Sequence, residues 1–305
     1  MQPAQKVLIV GPNLTMQYIH TVSDFVPGAV NRVESTHLVA AGKGVNVLRA
    51  FNHLKIPAEL LLFSGGSAHS LMRDLMASEG LNSLIVPMKS QLRVTNTILC
   101  KDEVTEVIGQ SPTISLEEEK EYLLVLESLL EANQFLAVIF TGTSPETNEA
   151  ISIYEKILQK MRRLTCPVIV DSSRPFLKST QPESNWLLKI NRDEFSQIFQ
   201  IDQSAQSCQE KCLRDSSWSR LLITDGSKPA YMKWDGEIYR ANPQKIENIV
   251  NPIGAGDVCC AAFTQALILG KSPLECLEWS LFVASVSCQS MVPGGFDLES
   301  ERKLV

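Results

Sequence analysis

Long apolar runs, paired-cysteine motifs, histidines at ligand spacing and basic stretches are all missing from this chain, and each absence narrows what it does. Nothing approaches the roughly 20 consecutive apolar residues of a membrane-spanning helix. With no lysine- or arginine-rich run and a net charge of −6, a dedicated surface for nucleic acid or anionic membrane is excluded, and an anionic substrate needs a local basic pocket. Eight cysteines occur without Cys-x-x-Cys spacing, which reads as reduced, mostly buried thiols. Cys208 and Cys212 lie one helical turn apart, yet no second pair or histidine stands near them in sequence, so they read as structural rather than metal-ligating. His20, His37, His53 and His69 all fall in the first quarter of the chain without ligand spacing. The opening residues lead straight into a strand pattern instead of a leader peptide, which sets the cytoplasm as the expected location.

What is present is a chain of 305 residues, 44% hydrophobic, with neither internal repeats nor a dividing linker; it reads as one globular unit, residues 1–305, able to bury a large core. Apolar runs at 6–11, 58–63, 135–141, 167–171, 186–190 and 220–224 alternate with helical patterns at 41–54 (opened by a glycine turn), 70–78, 115–133, 146–163 and 193–199. That alternation predicts a mainly parallel sheet covered on both faces, with ligands at the carboxyl ends of the strands. Two regions behave differently. Residues 13–40 and the predicted hairpin of 93–100 and 103–108 alternate apolar with polar residues, as a half-exposed, projecting sheet does. A second hairpin flanks Asp235-Gly236, and Ser115-Leu-Glu-Glu118 is a capping box whose acidic turn reads as a solvated face.

The most chemical stretch is 251–263, where Gly254-Ala255-Gly256-Asp257 opens an apolar helix. Glycines let backbone amides approach an anion at a helix start, where the dipole favours negative charge. Asp257 at that point either caps the helix or faces a hydroxyl whose proton it takes during attack on phosphorus. Gly42-Lys43-Gly44 opens a second helix with Asn46 one turn in. By themselves these residues are a loop lysine and a weak glycine motif; paired with the first turn, they suit two anions, Lys43 offering a point charge and Asn46 a hydrogen bond to a sugar hydroxyl.

Ala41-Gly-Lys-Gly-Val-Asn46 together with Ile253-Gly-Ala-Gly-Asp257 resemble the two signatures of the ribokinase-like sugar kinases, the phosphofructokinase B family. Pro27-Gly28-Ala-Val-Asn31-Arg32, Asp171-Ser-Ser-Arg174 and Asn191-Arg-Asp-Glu194 resemble its 1-phosphofructokinase and tagatose-6-phosphate kinase branch. The resemblance spans nearly the whole chain. It implies an α/β fold, a three-layer α/β/α domain with a mainly parallel central sheet and a small β-sheet lid formed by about 13–40 and 91–109. It implies ATP- and Mg²⁺-dependent phosphoryl transfer to a hydroxyl of a phosphorylated ketohexose. In that scheme Asp257 is the base, and the amides of Gly254, Ala255 and Gly256 form the anion hole. Asn191 and Glu194 organise Mg²⁺ through water, with a helix cap and acidic first turn as the alternative reading of the same pair. Asn191, Thr224 and Gly226 lie on the nucleotide side. Gln17, Gly42, Lys43, Asn46 and Arg93 lie on the substrate side, where Lys43 and Arg93 grip the phosphate already on the sugar.

Three positions depart from the family pattern. Gln17 stands where the branch has an aspartate that binds sugar hydroxyls, so a charge-assisted acceptor is lost. Pro229 replaces a glycine after the nucleotide-side loop, removing an amide donor, and Leu71 replaces another glycine. The alternatives are therefore a kinase for an unphosphorylated sugar or nucleoside, or a non-catalytic binder of sugar phosphate or nucleotide on the same fold. The expected partners are small molecules, not nucleic acid or membrane, with a homodimer through the lid edges as a further expectation.

Overall fold

The computed structural model describes residues 5–101, 103–132, 134–143, 145–147, 152–173, 175–200, 213–214 and 216–298. Cys208, Cys212, Arg174 and the Asp102 turn lie outside the described residues. In chain order the first half contains β1 (Val7–Asn13), β2 (Thr15–Val22), β3 (Ser35–Ala41), α1 (Lys43–His53), β4 (Ala58–Gly65), α2 (His69–Ser78), β5 (Ser83–Met88), β6 (Arg93–Cys100), β7 (Glu103–Ile108) and α3 (Leu116–Ala132). Then follow β8 (Ala137–Thr141), α4 (Ile153–Met161), β9 (Val168–Asp171), a 3₁₀ turn (Pro175–Lys178), β10 (Trp186–Asn191), α5 (Arg192–Phe199), β11 (Arg220–Asp225), β12 (Lys228–Trp234), β13 (Glu237–Ala241), α6 (Ala255–Ile268) and α7 (Pro273–Ser287).

The fully apolar runs become the centre of a nine-stranded sheet in the order β13-β12-β11-β10-β9-β8-β1-β4-β5. From β5 to β11 neighbouring strands are parallel, and β12 and β13 are added antiparallel. Residues buried on both faces, such as Val7 to Val10 and Val138 to Phe140, need helices on both sides. α1 packs on α6 and α6 on α7, while α3 packs on α4; right-handed crossovers put these two groups on opposite faces of the sheet. The strand order reverses between β1 and β8, because the chain runs outward to β4 and β5 on one side and later to β8 and β9 on the other. A crevice at the carboxyl ends of the strands follows from that reversal.

The alternating segments form a separate four-stranded sheet, β3-β2-β6-β7, in which β2 lies antiparallel to β3 and parallel to β6. Its body-facing side carries a small cluster of Ile19, Val39, Ala41 and Leu99, packed against Met291 and Val292 after α7.

Some expectations change. The helix expected from Glu146 begins at Ile153, because Ser152 and Glu155 close a capping box there while Glu146 forms a parallel bridge with Thr113; residues 148–151 lie outside the described part. The acidic turn of α3 is not wholly solvated either. Glu118 completes the expected capping box with Ser115, but Glu119 is only 3% exposed and is paired with Lys156 of α4. Pro229 costs little in the sheet, since it falls where the register between β11 and β12 shifts, at Ile223/Asp225, a place where a missing ladder donor is tolerated. Leu71 sits exposed on α2. The six described cysteines are free thiols. Among the described residues no helix is long and apolar enough to cross a membrane.

The first glycine-started helix is held against β1 by backbone contact. A Cβ on Gly11 would lie 2.7 Å from the Gly44 Cα and 3.1 Å from Leu60 Cδ1, so β1 and the first turn of α1 touch with no room for a methyl group. Gly11→Ala should therefore destabilise the fold by about 1–3 kcal/mol, the usual cost of overpacking, read as a lower urea midpoint at unchanged slope. An unchanged midpoint would contradict this contact.

Candidate active site

Asp257 lies in the first turn of α6 and is 5% exposed. It does not cap its helix: Gly254 is the N-cap, at φ 86° and without a side-chain cap bond. Asp257 instead accepts a hydrogen bond from Asn46 Nδ2 at 2.7 Å. Of the two readings of this aspartate, the cap is thus removed. Gly254 is required on two counts, because its φ is left-handed and a Cβ would come within 2.9 Å of Pro293 Cβ. Asn251 fixes the turn before it, accepting from the Ile253 amide and donating to the Met291 carbonyl. Gly254, Ala255 and Gly256 stand at the start of α6, where the Ala255 amide donates to the Pro252 carbonyl at 3.3 Å; helix-terminal amides of such a turn are suited to an anion.

The partner turn sits opposite. Gly42, at φ 104°, is the N-cap of α1, and a Cβ there would meet the Asn13 carbonyl at 2.5 Å. This places Lys43 among three carboxylates. Its Nζ lies 3.4 Å from Asp171 Oδ1 and 3.9 Å from Glu194 Oε1. Although 35% of its side-chain surface is exposed, its ammonium is crowded by protein; burial disfavours the charge, but Asp171, Asp257 and Glu194 outweigh it and raise the pKa above the ordinary lysine value.

Asp171 and Lys189 belong to this cluster without having been assigned roles from sequence. Asp171, at the end of β9, is 0% exposed; it accepts from Lys189 Nζ at 3.3 Å and from Thr141 Oγ1 at 3.1 Å. The signals were legible as a carboxylate ending the run Val168 to Val170 and as a lysine inside the apolar strand Trp186 to Ile190. Burial alone would push the Asp171 carboxyl up, but the ammonium groups of Lys189 and Lys43 hold it below its ordinary value. Asp257 is tuned the opposite way. Burial pushes its pKa up to about 6, and the negative Asp171 adds to this, while Lys43, the Asn46 hydrogen bond and Lys189 only partly oppose it.

Asn191 caps α5: its side chain accepts from the Glu194 amide at 2.9 Å, and Glu194 Oε2 accepts from the Asn191 amide at 3.2 Å. The helix-cap reading of this pair is therefore realised, and it leaves Glu194 Oε1 toward Lys43. Among the described residues no group of three His, Cys, Asp or Glu forms a metal cage. Thr224 pairs in register with Asn191 on the neighbouring strand. Gly226 follows in the turn to β12 at φ 55°, with open space where a Cβ would stand, so conformation and not crowding selects glycine there.

The lid residues have hydrogen-bond partners of their own. Arg93 opens β6 and donates to Ser111 Oγ and, at 3.3 Å, to Thr143 Oγ1. Asn13 Nδ2 also donates to Thr143, at 3.1 Å, so this threonine after β8 ties lid to crevice; it was not singled out from sequence. Gln17, 4% exposed, donates to Thr97 Oγ1 at 2.7 Å. The structure thus brings together Lys43, Asn46, Asp257 and Glu194, sets Asn191, Thr224 and Gly226 beside them, and keeps Arg93 and Gln17 on the lid with other partners. A cavity of about 600 Å³ lined by Arg49, His53, Glu79 and Phe296, among others, contains none of these residues.

Comparison with known proteins identifies the family. Residues 4–297 match the model of the pfkB family carbohydrate kinases. The chain is 29% identical over 269 residues to 1-phosphofructokinase of Bacillus subtilis (strain 168), covering 86% of each protein. It is 25% identical over 279 residues to tagatose-6-phosphate kinase of Staphylococcus epidermidis (strain ATCC 12228 / FDA PCI 1200), covering 89% of this chain and 87% of that one. A solved structure of a possible 1-phosphofructokinase from Thermotoga maritima superposes with a TM-score of 0.86 at 17% identity, over 98% of this chain and 97% of that one. The fold is ribokinase-like, and the chain belongs to the pfkB family of carbohydrate kinases.

Proposed function

We propose that this sugar kinase transfers the terminal phosphoryl group of ATP to a hydroxyl of a phosphorylated ketohexose, with Asp257 as the base. The observation that carries the reading is the opposed tuning of two buried carboxylates: Asp171, neutralised by two ammonium groups, stays charged, whereas Asp257 has a pKa near 6 and can take and release a proton near neutrality. In the transfer, the sugar hydroxyl gives its proton to Asp257 as its oxygen forms the new P–O bond. The bond from phosphorus to the bridging oxygen of ADP breaks, and ADP leaves with that electron pair. The amides at Gly254, Ala255 and Gly256 receive the equatorial oxygens, and Lys43, together with Arg93, offers positive charge to the phosphate already on the sugar.

Mg²⁺ is held in such sites through one or two carboxylates, waters and substrate phosphates rather than by a protein cage, and Glu194, with one oxygen in a cap and the other toward Lys43, has the donor chemistry for this. When bound there, Mg²⁺ supplies charge neutralisation for the phosphates. Thr224 and Gly226 flank the nucleotide, Asn46 and Gln17 face sugar hydroxyls, and Arg93 takes the phosphate carried by the sugar. Two copies covering the lid edges β3 and β7 complete the reading; a monomer mass by light scattering would remove that part.

The decisive assay is ADP release over a panel of sugars, nucleosides and sugar phosphates, including fructose 1-phosphate and tagatose 6-phosphate. Asp257→Asn should lower kcat by about 10²–10⁴-fold, the usual contribution of a positioned base; turnover equal to wild type would sink the proposal. Arg93→Ala should raise KM for the phosphorylated substrate by about 10–100-fold, the effect of losing a charge-assisted hydrogen bond. An equal preference for the unphosphorylated sugar in wild type would point to the other kinase reading.

The same carboxylate yields a stability prediction. A folded pKa of about 6, raised from 3.8, means the folded state binds the proton more tightly, so its stabilisation is present at acid pH and is lost as pH rises through 6. Above that pH the ionised Asp257 costs on the order of 2–3 kcal/mol. Asp257→Asn should therefore melt higher than wild type at pH 8 and show no such gain at pH 4; a lower melting temperature at pH 8 would contradict the burial argument.

A further inference from the structure

Gln17, Thr97 and Glu106 stand on the adjacent lid strands β2, β6 and β7, with Ile19 opposite Thr97 and Thr97 opposite Glu106 in the register. Gln17 Nε2 donates to Thr97 Oγ1 at 2.7 Å, and Thr97 Oγ1 donates to Glu106 Oε1 at 3.3 Å. The direction of this chain is set by chemistry. An ionised carboxylate only accepts, a hydroxyl has one hydrogen, and an amide has a donor end and an acceptor end. With the Thr97 hydrogen given to Glu106, Thr97 has only lone pairs for Gln17. The amide must then turn its NH₂ to Thr97, and its carbonyl oxygen is held on the other side. The reverse orientation would set two acceptors against each other.

Gln17 lies between Thr15 and Ile19 on the buried side of β2. Thr15 Oγ1 is 3.5 Å from where a Gly42 Cβ would be, and Ile19 belongs to the cluster against Met291 and Val292. That side therefore faces the crevice, two residues from the turn that presents Lys43. Among the described residues nothing donates to Gln17 Oε1. Glu106 is exposed as a residue on the edge strand, yet surrounding atoms crowd its carboxyl enough that burial raises its pKa, with the Thr97 bond opposing.

We infer that Glu106, acting through Thr97, is a positioning residue that holds the Gln17 carbonyl oxygen toward the crevice as the acceptor for a sugar hydroxyl. The lid thereby keeps an oriented acceptor where the family pattern has an aspartate, with the negative charge moved two strands away. A substrate group facing Gln17 must be a hydrogen donor, so the relay selects a hydroxyl over a carbonyl or ether oxygen at that position. The inference rests on the sugar-kinase reading.

The test uses purified full-length variants with fructose 1-phosphate and tagatose 6-phosphate as probes. In Glu106→Gln the new amide can itself donate to Thr97 and release the orientation of Gln17, so KM for the sugar phosphate should rise about three- to tenfold, the weight of one neutral hydrogen bond. The loss should fall on that KM and not on kcat or the KM for ATP. Thr97→Val should give the same change, whereas Thr97→Ser, which keeps the hydroxyl, should retain the wild-type KM. Gln17→Leu combined with Glu106→Gln should be no worse than Gln17→Leu alone, because both act through one acceptor. An unchanged sugar KM in Glu106→Gln, an equal rise in the ATP KM, or additive effects in the double variant would overturn the inference alone. Absence of turnover by wild type on every sugar and sugar phosphate would overturn the kinase reading and the inference with it.

Discussion

The arrangement of the crevice depends on one dehydrated charge, the Asp171 carboxylate, which has no exposed surface and two ammonium partners at 3.3 and 3.4 Å. An unpaired carboxylate at that depth would cost several kcal/mol. Its partners come from different parts of the chain, Lys189 from the neighbouring strand β10 and Lys43 from the start of α1, so satisfying it fixes the spacing of β9, β10 and α1. Other residues are then constrained by these lysines. A Cβ on Gly256 would lie 2.9 Å from Lys189 Nζ, and one on Gly142 would touch the Lys43 stem at 3.4 Å. The small residues around the crevice are the negative image of the two lysines.

Against that frame, the difference between Asp171 and Asp257 becomes a division of labour. Both are buried, but only Asp171 has short contacts to cations. Asp257 has an amide at 2.7 Å and a like charge nearby, so proton uptake is easiest there. Its instability when ionised is the local strain that a fold of this kind carries at a reactive position. Interlocked loops keep it in place: a Cβ on Gly294 would meet the Asn46 carbonyl at 2.4 Å, and Asn251 bridges from the turn before α6 to Met291.

The lid solves a different problem. Its sheet presents polar side chains toward the crevice while it is anchored by a few apolar ones, Ile19, Val39 and Leu99, and by polar ties through Thr143 to Asn13 and Arg93. Such a face needs hydrogen-bond direction as much as charge, since each buried donor or acceptor left unmatched is costly. Thr97 serves that end between Gln17 and Glu106.

Much of this was legible in the amino-acid order. Buried strands read as unbroken apolar runs, the lid as alternating ones, and α3 as a capping box, because these patterns are local consequences of backbone period and terminal hydrogen bonding. The two glycine turns named the reaction class through the resemblance carried by Ala41 to Asn46 and Ile253 to Asp257. The start of α4 is not legible locally because Glu146 obeys a long-range bridge to Thr113, and the burial of Glu119 is not legible because its partner Lys156 is 37 residues away. By itself the sequence determined the elements, the glycine-opened helices and the candidate aspartate. Only the tertiary structure decided that Asp257 is not a cap, that Asp171 and Lys189 join Lys43, and which way the Gln17 amide points, because each depends on charges and hydrogen bonds between groups far apart in the chain.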